Sequence, residues 1–241
     1  MIFSPPLSGG LRCFHMPSWV SLMLSSFWPL LSAGLMFTVP LTLLSFAGGL
    51  SLGFFTAVAR LFAPRWLVAV VRFYVWLIRG TPLLVQLFII FYGFPSIGIV
   101  LDAFTAALIG FVLNVGAYTS EVIRAAIESV PKGQWEASYS IGMSWTQTMR
   151  RTILPLATRV AVPPLSNSFI SLVKDTSLAA AVTVPELFQA AQRIAAVTYE
   201  PLILYCETAL IYLAFSSVLS VLQSRLEVRV ARHVPRLEGE R

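Results

Sequence analysis

The sequence predicts an all-α integral membrane fold of about five transmembrane helices, and three observations carry that prediction. Of the 241 residues, 57% are hydrophobic and 12% charged, against roughly 45–50% and about 25% in a soluble domain. Apolar runs of about 20 residues, the length a helix needs to cross some 30 Å of hydrocarbon, recur along the whole chain. The basic residues lie between those runs and form no stripe interleaved with aromatics. The formal charge of +6 therefore reads as membrane topology and excludes a nucleic-acid partner.

Residues 1–34 are expected to be an N-terminal extracytoplasmic segment, because they lack the compact apolar core and small-residue cleavage site of a signal peptide. The first span runs from Leu35 to Ala59 and is closed by Arg60 and the Pro64-Arg65 break. Gly49 and Gly53 stand in GxxxG spacing, which would admit a close neighbouring helix. Residues 66–80 mix Arg72 and Arg79 with aromatics, as in a helix lying at or entering the interface. A second span follows to Ile99, with Thr81 expected as its cap and Pro82 as its first residue.

The third span, Phe104 to Ala125, carries Asn114, Tyr118 and Glu121 at spacings that put them on one face. Residues 126–159 are too long and too charged for a turn between membrane helices. The next apolar run, Val160 to Val184, contains Pro163-Pro164 and Lys174-Asp175, so it is expected to be broken or bent. The fifth span occupies Pro201 to Gln223, and residues 224–241 form a basic tail. Membrane organisation thus occupies residues 35–223.

An odd number of spans puts the termini on opposite sides. Fourteen of the 17 basic residues fall on the side of segment 126–159 and the tail. The positive-inside rule then makes that segment and the C-terminus cytoplasmic and the N-terminus external.

The cytoplasmic segment contains Trp135, Glu136, Ala137, Ser138, Gly142, Leu154 and Pro155. Small residues at 137 and 138 beside Trp135 and Ile141 make a short helix with a compact apolar face, and Gly142 permits a sharp exit. Trp135, Ile141, Met143 and Trp145 would leave apolar surface in water unless a partner covered it. The pattern resembles the EAA loop of ABC-importer permeases: E-A-A, three residues, G, nine residues, I, any residue, L-P. Ser138 departs from the second alanine, and Thr152 stands where the isoleucine is expected. Arg79-Gly80-Thr81-Pro82-Leu83-Leu84-Val85-Gln86 and the stretch from Pro164 to Leu178 are similar to two further shared segments of the polar amino acid uptake family. Within it the chain looks most like cystine permeases.

The resemblance implies a non-enzymatic subunit of a bacterial inner (plasma) membrane importer. Its partners would be a dimer of ABC ATP-binding subunits, an extracytoplasmic solute-binding protein and a second permease subunit, identical or homologous. ATP and Mg would be used by the ATPase, since this chain has no G-x-x-x-x-G-K-[ST] phosphate loop. No cofactor or metal is expected here. His15 and His233 are far apart, and Cys13 and Cys206 have no ligand or disulfide spacing.

Ionisable groups in the bilayer are candidates for the pathway by their cost alone. Lys174 and Asp175 lead. In a helix Asn167, Ser171 and Lys174 share a face and would offer an ammonium and two neutral groups to a zwitterion's carboxylate; a structural ion pair is the alternative. Glu121 could meet a substrate ammonium or be neutralised by Arg124, and Asn114 could bond across helices or face the ligand. The broken run with its charges also fits an ion-coupled secondary transporter.

Overall fold

The computed structural model describes residues 18–231, and over that range the chain is helical with no strand. Helix α1 (Ser18–Ala33) continues through a π turn, Gly34–Thr38, into α2 (Val39–Phe62). The first long helix thus begins at Ser18 and not at Leu35, and half of the expected extracytoplasmic segment is part of a 44-residue helical rod, Trp19–Phe62. Helix α3 (Arg65–Gly80) meets α4 (Leu83–Phe88), which runs on through a π turn, Ile89–Gly93, and a 3-10 turn, Phe94–Ile97. Then come α5 (Ala103–Glu128), α6 (Lys132–Ser140), α7 (Trp145–Thr148), a π turn (Met149–Ile153) and α8 (Leu154–Asp175). A 3-10 turn, Thr176–Val182, leads to α9 (Leu187–Thr198) and α10 (Pro201–Ala231).

Each of the described π turns has the same cause. Residues Val39, Phe94 and Leu154 donate to carbonyls five positions back, and in each case a proline, Pro40, Pro95 or Pro155, follows immediately. A proline has no N–H and presses on the carbonyl four residues earlier, so the chain widens by one residue ahead of it. Pro163 and Pro164, in contrast, are carried inside α8 without ending it. The break expected in that run falls only at Asp175, where α-helix gives way to the 3-10 turn.

Among the described residues three helices are long and apolar enough to cross a membrane: Trp19–Phe62, Ala103–Glu128 and Pro201–Arg225. The pair Arg65–Gly80 and Leu83–Ile97, bent by 106°, makes a fourth if it counts as one span. The fold is multi-spanning with three to four such elements; the run from Val160 to Val184 does not form a single helix.

The bend between α3 and α4 is locked by Gln86. Its amide nitrogen donates to Ile78 O at 2.7 Å, Thr81 O at 3.1 Å and Thr81 Oγ1 at 2.9 Å, satisfying carbonyls that the end of α3 leaves orphaned. Thr81 does not cap α4: its hydroxyl donates back to Leu77 O, and extended Pro82 is the flanking residue. Helices α2 and α5 pack through the GxxxG face. A Cβ on Gly49 would lie 2.5 Å from Val115 Cβ, and one on Gly53 would collide with Thr119 Oγ1. The glycines are what let the two backbones approach.

Among the described residues the core has three parts. Leu41, Leu87, Phe111, Leu172 and Val182 join α2, α4, α5, α8 and the 3-10 turn. Ile123, Ile127, Met149, Ile153 and Ala157 fill the end carrying α6. Leu30, Leu187, Ala191 and Ile211 bind α1, α9 and α10.

Candidate functional site

A cavity of about 680 Å³ opens between the α3–α4 bend, α5 and α8. Arg79, Thr81, Asn114 and Tyr118 line one wall; Asn167, Ser171 and Asp175 line the other. On α8 those three residues recur every fourth position and form one stripe. Lys174, expected on the same face as Asn167 and Ser171, is exposed but does not line the cavity. One step along a helix turns the side chain by about 100°, so its neighbour Asp175 takes the inward place. The described residues hold no salt bridge between Lys174 and Asp175.

Asn167 is half committed already, accepting from Gln223 Nε2 at 2.9 Å. Asn114 Nδ2 stands 3.5 Å from Gln86 Oε1, a long bond that leaves its amide directed into the cavity wall. Glu121 is engaged by protein. It accepts from Arg60 of α2 and from Nε and Nη2 of Arg124 at 3.0 and 2.9 Å. Arg79 Nη1 lies farther off, at 3.6 Å. Glu121 therefore ties α2 to α5 beside the cavity.

The segment 126–159 divides into anchors and a presented face. Trp135 and Leu154 pack against the core at that end, and Ser138 is buried, its hydroxyl bonded to Gln134 O at 2.8 Å and to Thr152 Oγ1 at 3.1 Å. The two positions that depart from the EAA pattern thus touch each other. Gly142 at φ +80° ends α6. Gly142 N donates to Tyr139 O and Met143 N to Ser138 O, the paired bonds of a Schellman cap. Ser144 and Gln147 then form a capping box at the start of α7. Pro155 sets the π turn that links α7 to α8. Outside remain Glu136, Ala137, Tyr139 and Ile141, the last 77% exposed. Trp145 stacks edge-on against Phe62 at 4.8 Å, so part of its surface is covered by the chain itself.

Residues 49–232 match the model of the family described as binding-protein-dependent transport system inner membrane component. The chain belongs to that family. It is a permease subunit of an ABC-type importer, a non-catalytic transport protein whose ATP is hydrolysed by a separate ABC ATPase. The permease is 55% identical over 214 residues to the L-cystine transport system permease protein TcyB of Bacillus subtilis (strain 168), covering 88% of this chain and 92% of that one. It is 38% identical over 211 residues to the glutamine transport system permease protein GlnP of Escherichia coli (strain K12), covering 86% and 96%. A solved amino acid ABC transporter with histidines superposes with a TM-score of 0.83 at 34% identity, covering 88% of this permease and 99% of that chain.

Sequence reasoning had missed several residues that the permease relies on. Arg79, read as an interfacial snorkel, lines the cavity with its guanidinium 5.2 Å from the Tyr118 ring centre. Glu186 is fully buried, caps α9 through Phe188 N and Gln189 N at 2.9 and 2.8 Å, and accepts from Tyr212 Oη of α10 at 2.7 Å. Its position just ahead of an amphipathic run was the available signal. Glu207 is buried against α1, its Oε2 accepting from Ser26 Oγ at 2.5 Å. Among the described residues no cluster of three His, Cys, Asp or Glu side chains could hold a metal.

Proposed function

We propose that this permease carries polar amino acids, with L-cystine the favoured cargo, inward across a bacterial inner membrane. The observation that carries the reading is the cavity itself: Asn114 of α5 and Asn167, Ser171 and Asp175 of α8 converge on one space of about 680 Å³. Neutral hydrogen-bonding groups with few charges suit a small zwitterion. The likeness to an L-cystine permease over nearly the full length of both chains supports the choice of cargo. Lys174, adjacent to the cavity, would act on the ligand by long-range charge. Five crossings, an external N-terminus and a cytoplasmic C-terminus complete the proposed topology, supported by the distribution of basic residues.

The face presented by α6 is the proposed seat of the ATPase. Glu136 and Ala137 would meet the partner, while Trp135, Ser138, Leu154 and Pro155 hold α6 on the permease and Gly142 ends it. Two permease subunits, identical or homologous, would form the pathway with an ATPase dimer beneath and a solute-binding protein delivering cargo from outside.

The test is L-cystine uptake into vesicles containing the permease, its ATPase and its binding protein. Uptake should require internal ATP and stop when hydrolysis is blocked. Uptake driven by an ion gradient without the ATPase would establish the secondary-transporter reading instead. In the same complex Glu136→Ala and Gly142→Pro should leave the permease in the membrane but loosen the ATPase; normal co-purification and transport in both would overturn the docking assignment.

A further inference from the structure

We propose that Arg65 and Arg72, on the outward side of α3, bind the headgroups of anionic phospholipids at the membrane boundary. This goes beyond the amino acid reading and does not depend on the cargo. Helix α3 carries Arg65, Arg72 and Arg79 and no acidic residue. The three recur every seventh position, close to two whole turns, so they form one stripe that drifts by only about 20° at each step. The far end of that stripe is occupied: Arg79 lines the cavity and lies 3.6 Å from Glu121. Arg65 and Arg72 are exposed and form no salt bridge among the described residues.

The stripe lies between two apolar faces. On one, Val75 is buried and Tyr74 Oη donates to Leu113 O of α5 at 2.6 Å, which fixes α3 on the bundle. On the other, Trp66, Val70, Phe73, Trp76 and Leu77 point outward, the two tryptophans each 68% exposed. A helix with an apolar outer face and a cationic edge suits the surface of a bilayer, its rings among the acyl chains and its cations at the level of the phosphates. The bundle puts α3 at such a boundary. It follows α2 directly, and Phe62, the last residue of α2, stacks on Trp145 of α7 at 4.8 Å. At its other end the chain turns by 106° into α4. Helix α3 therefore skirts the end of the bundle that carries α6 and α7, across the direction of the span that follows.

Charge selects the occupant. Two unpaired guanidinium groups, about 10 Å apart along the helix axis, offer bidentate donors to two phosphates side by side. A headgroup of net negative charge satisfies both. A second copy of α3 in an isologous contact would bring more arginine and no carboxylate.

The test uses the permease–ATPase complex in phosphatidylcholine vesicles and compares spin-labelled phosphatidylglycerol with spin-labelled phosphatidylcholine by the motionally restricted fraction of each. The wild type should prefer phosphatidylglycerol by about threefold or more. Replacing both residues, Arg65→Gln with Arg72→Gln, should remove most of that preference. Arg65→Lys with Arg72→Lys, which keeps the charge but not the fork, should retain part of it and serves if the Gln variant does not assemble. Arg225→Gln, at an exposed position of α10, should leave it unchanged. No preference in the wild type, or a preference that survives in the double Gln variant, would overturn the proposal. An equal loss with Arg225→Gln would also overturn it, by showing diffuse attraction to a basic membrane face. Crosslinking of the same samples tests the rival occupant: permease pairing lost in the double Gln variant with the lipid preference intact would assign this face to a second subunit.

Discussion

Ser138 and Thr152 depart from their family's pattern at two points fourteen positions apart, and they meet in one hydrogen bond. Neither departure is intelligible alone. A hydroxyl left without its partner in a buried position costs about 1–3 kcal/mol, whereas replacing both members by apolar groups can be nearly neutral. Ser138→Ala and Thr152→Ile should each lower the melting temperature of the detergent-purified permease, and the double variant should recover most of the loss. Additive losses would show that the two side chains act independently. Gly142 makes a second case at this scale. Its φ of +80° is strained for any residue with a Cβ, so Gly142→Ala should cost about 1–2 kcal/mol in the same assay. The glycine was legible in the sequence as a helix stop; the Ser138–Thr152 pair was not, because spacing along a chain does not say which buried hydroxyls will face each other.

The α2–α5 pair shows how much an element owes to a few small residues. Gly49 and Gly53 present bare backbone to Val115 and Thr119, and Thr119 Oγ1 reaches Gly49 O at 3.3 Å. Gly53→Val puts a branched side chain where no space exists, and overpacking of a tight contact costs typically 1–3 kcal/mol. The expected outcome is a lower melting temperature and, where the helices part, poor recovery from the membrane. An unchanged melting curve would mean that the contact is looser than its geometry. At the α3–α4 bend, Gln86→Leu removes the donor to Ile78 O and Thr81 O and should destabilise by about 1–3 kcal/mol, read in the same way. Sequence pattern located both elements. It misassigned the cap to Thr81 because a threonine before a proline is a common helix start, while the donor that closes this bend comes from one turn farther along.

For the whole molecule, the proposed pathway among α3, α4, α5 and α8 lies apart from the proposed docking face of α6, so transport and ATPase attachment should be separable by mutation. Asp175→Asn should reduce uptake by more than Lys174→Ala, since Asp175 lines the cavity and Lys174 does not, with the ATPase still bound in both. The opposite order would return Lys174 to the leading place. What the sequence by itself determined is considerable. Apolar run length settled the helical membrane class, Gly142 marked the end of α6, and the motif from Glu136 to Pro155 marked the family. These are local properties, set by solvent and by backbone chemistry within a few residues. Only the tertiary structure decided that Glu121 is taken by Arg60 and Arg124 and that Arg79 faces the cavity. Whether a charge inside a bilayer is neutralised or free depends on groups brought from other helices, and their distance is a property of the packed bundle alone.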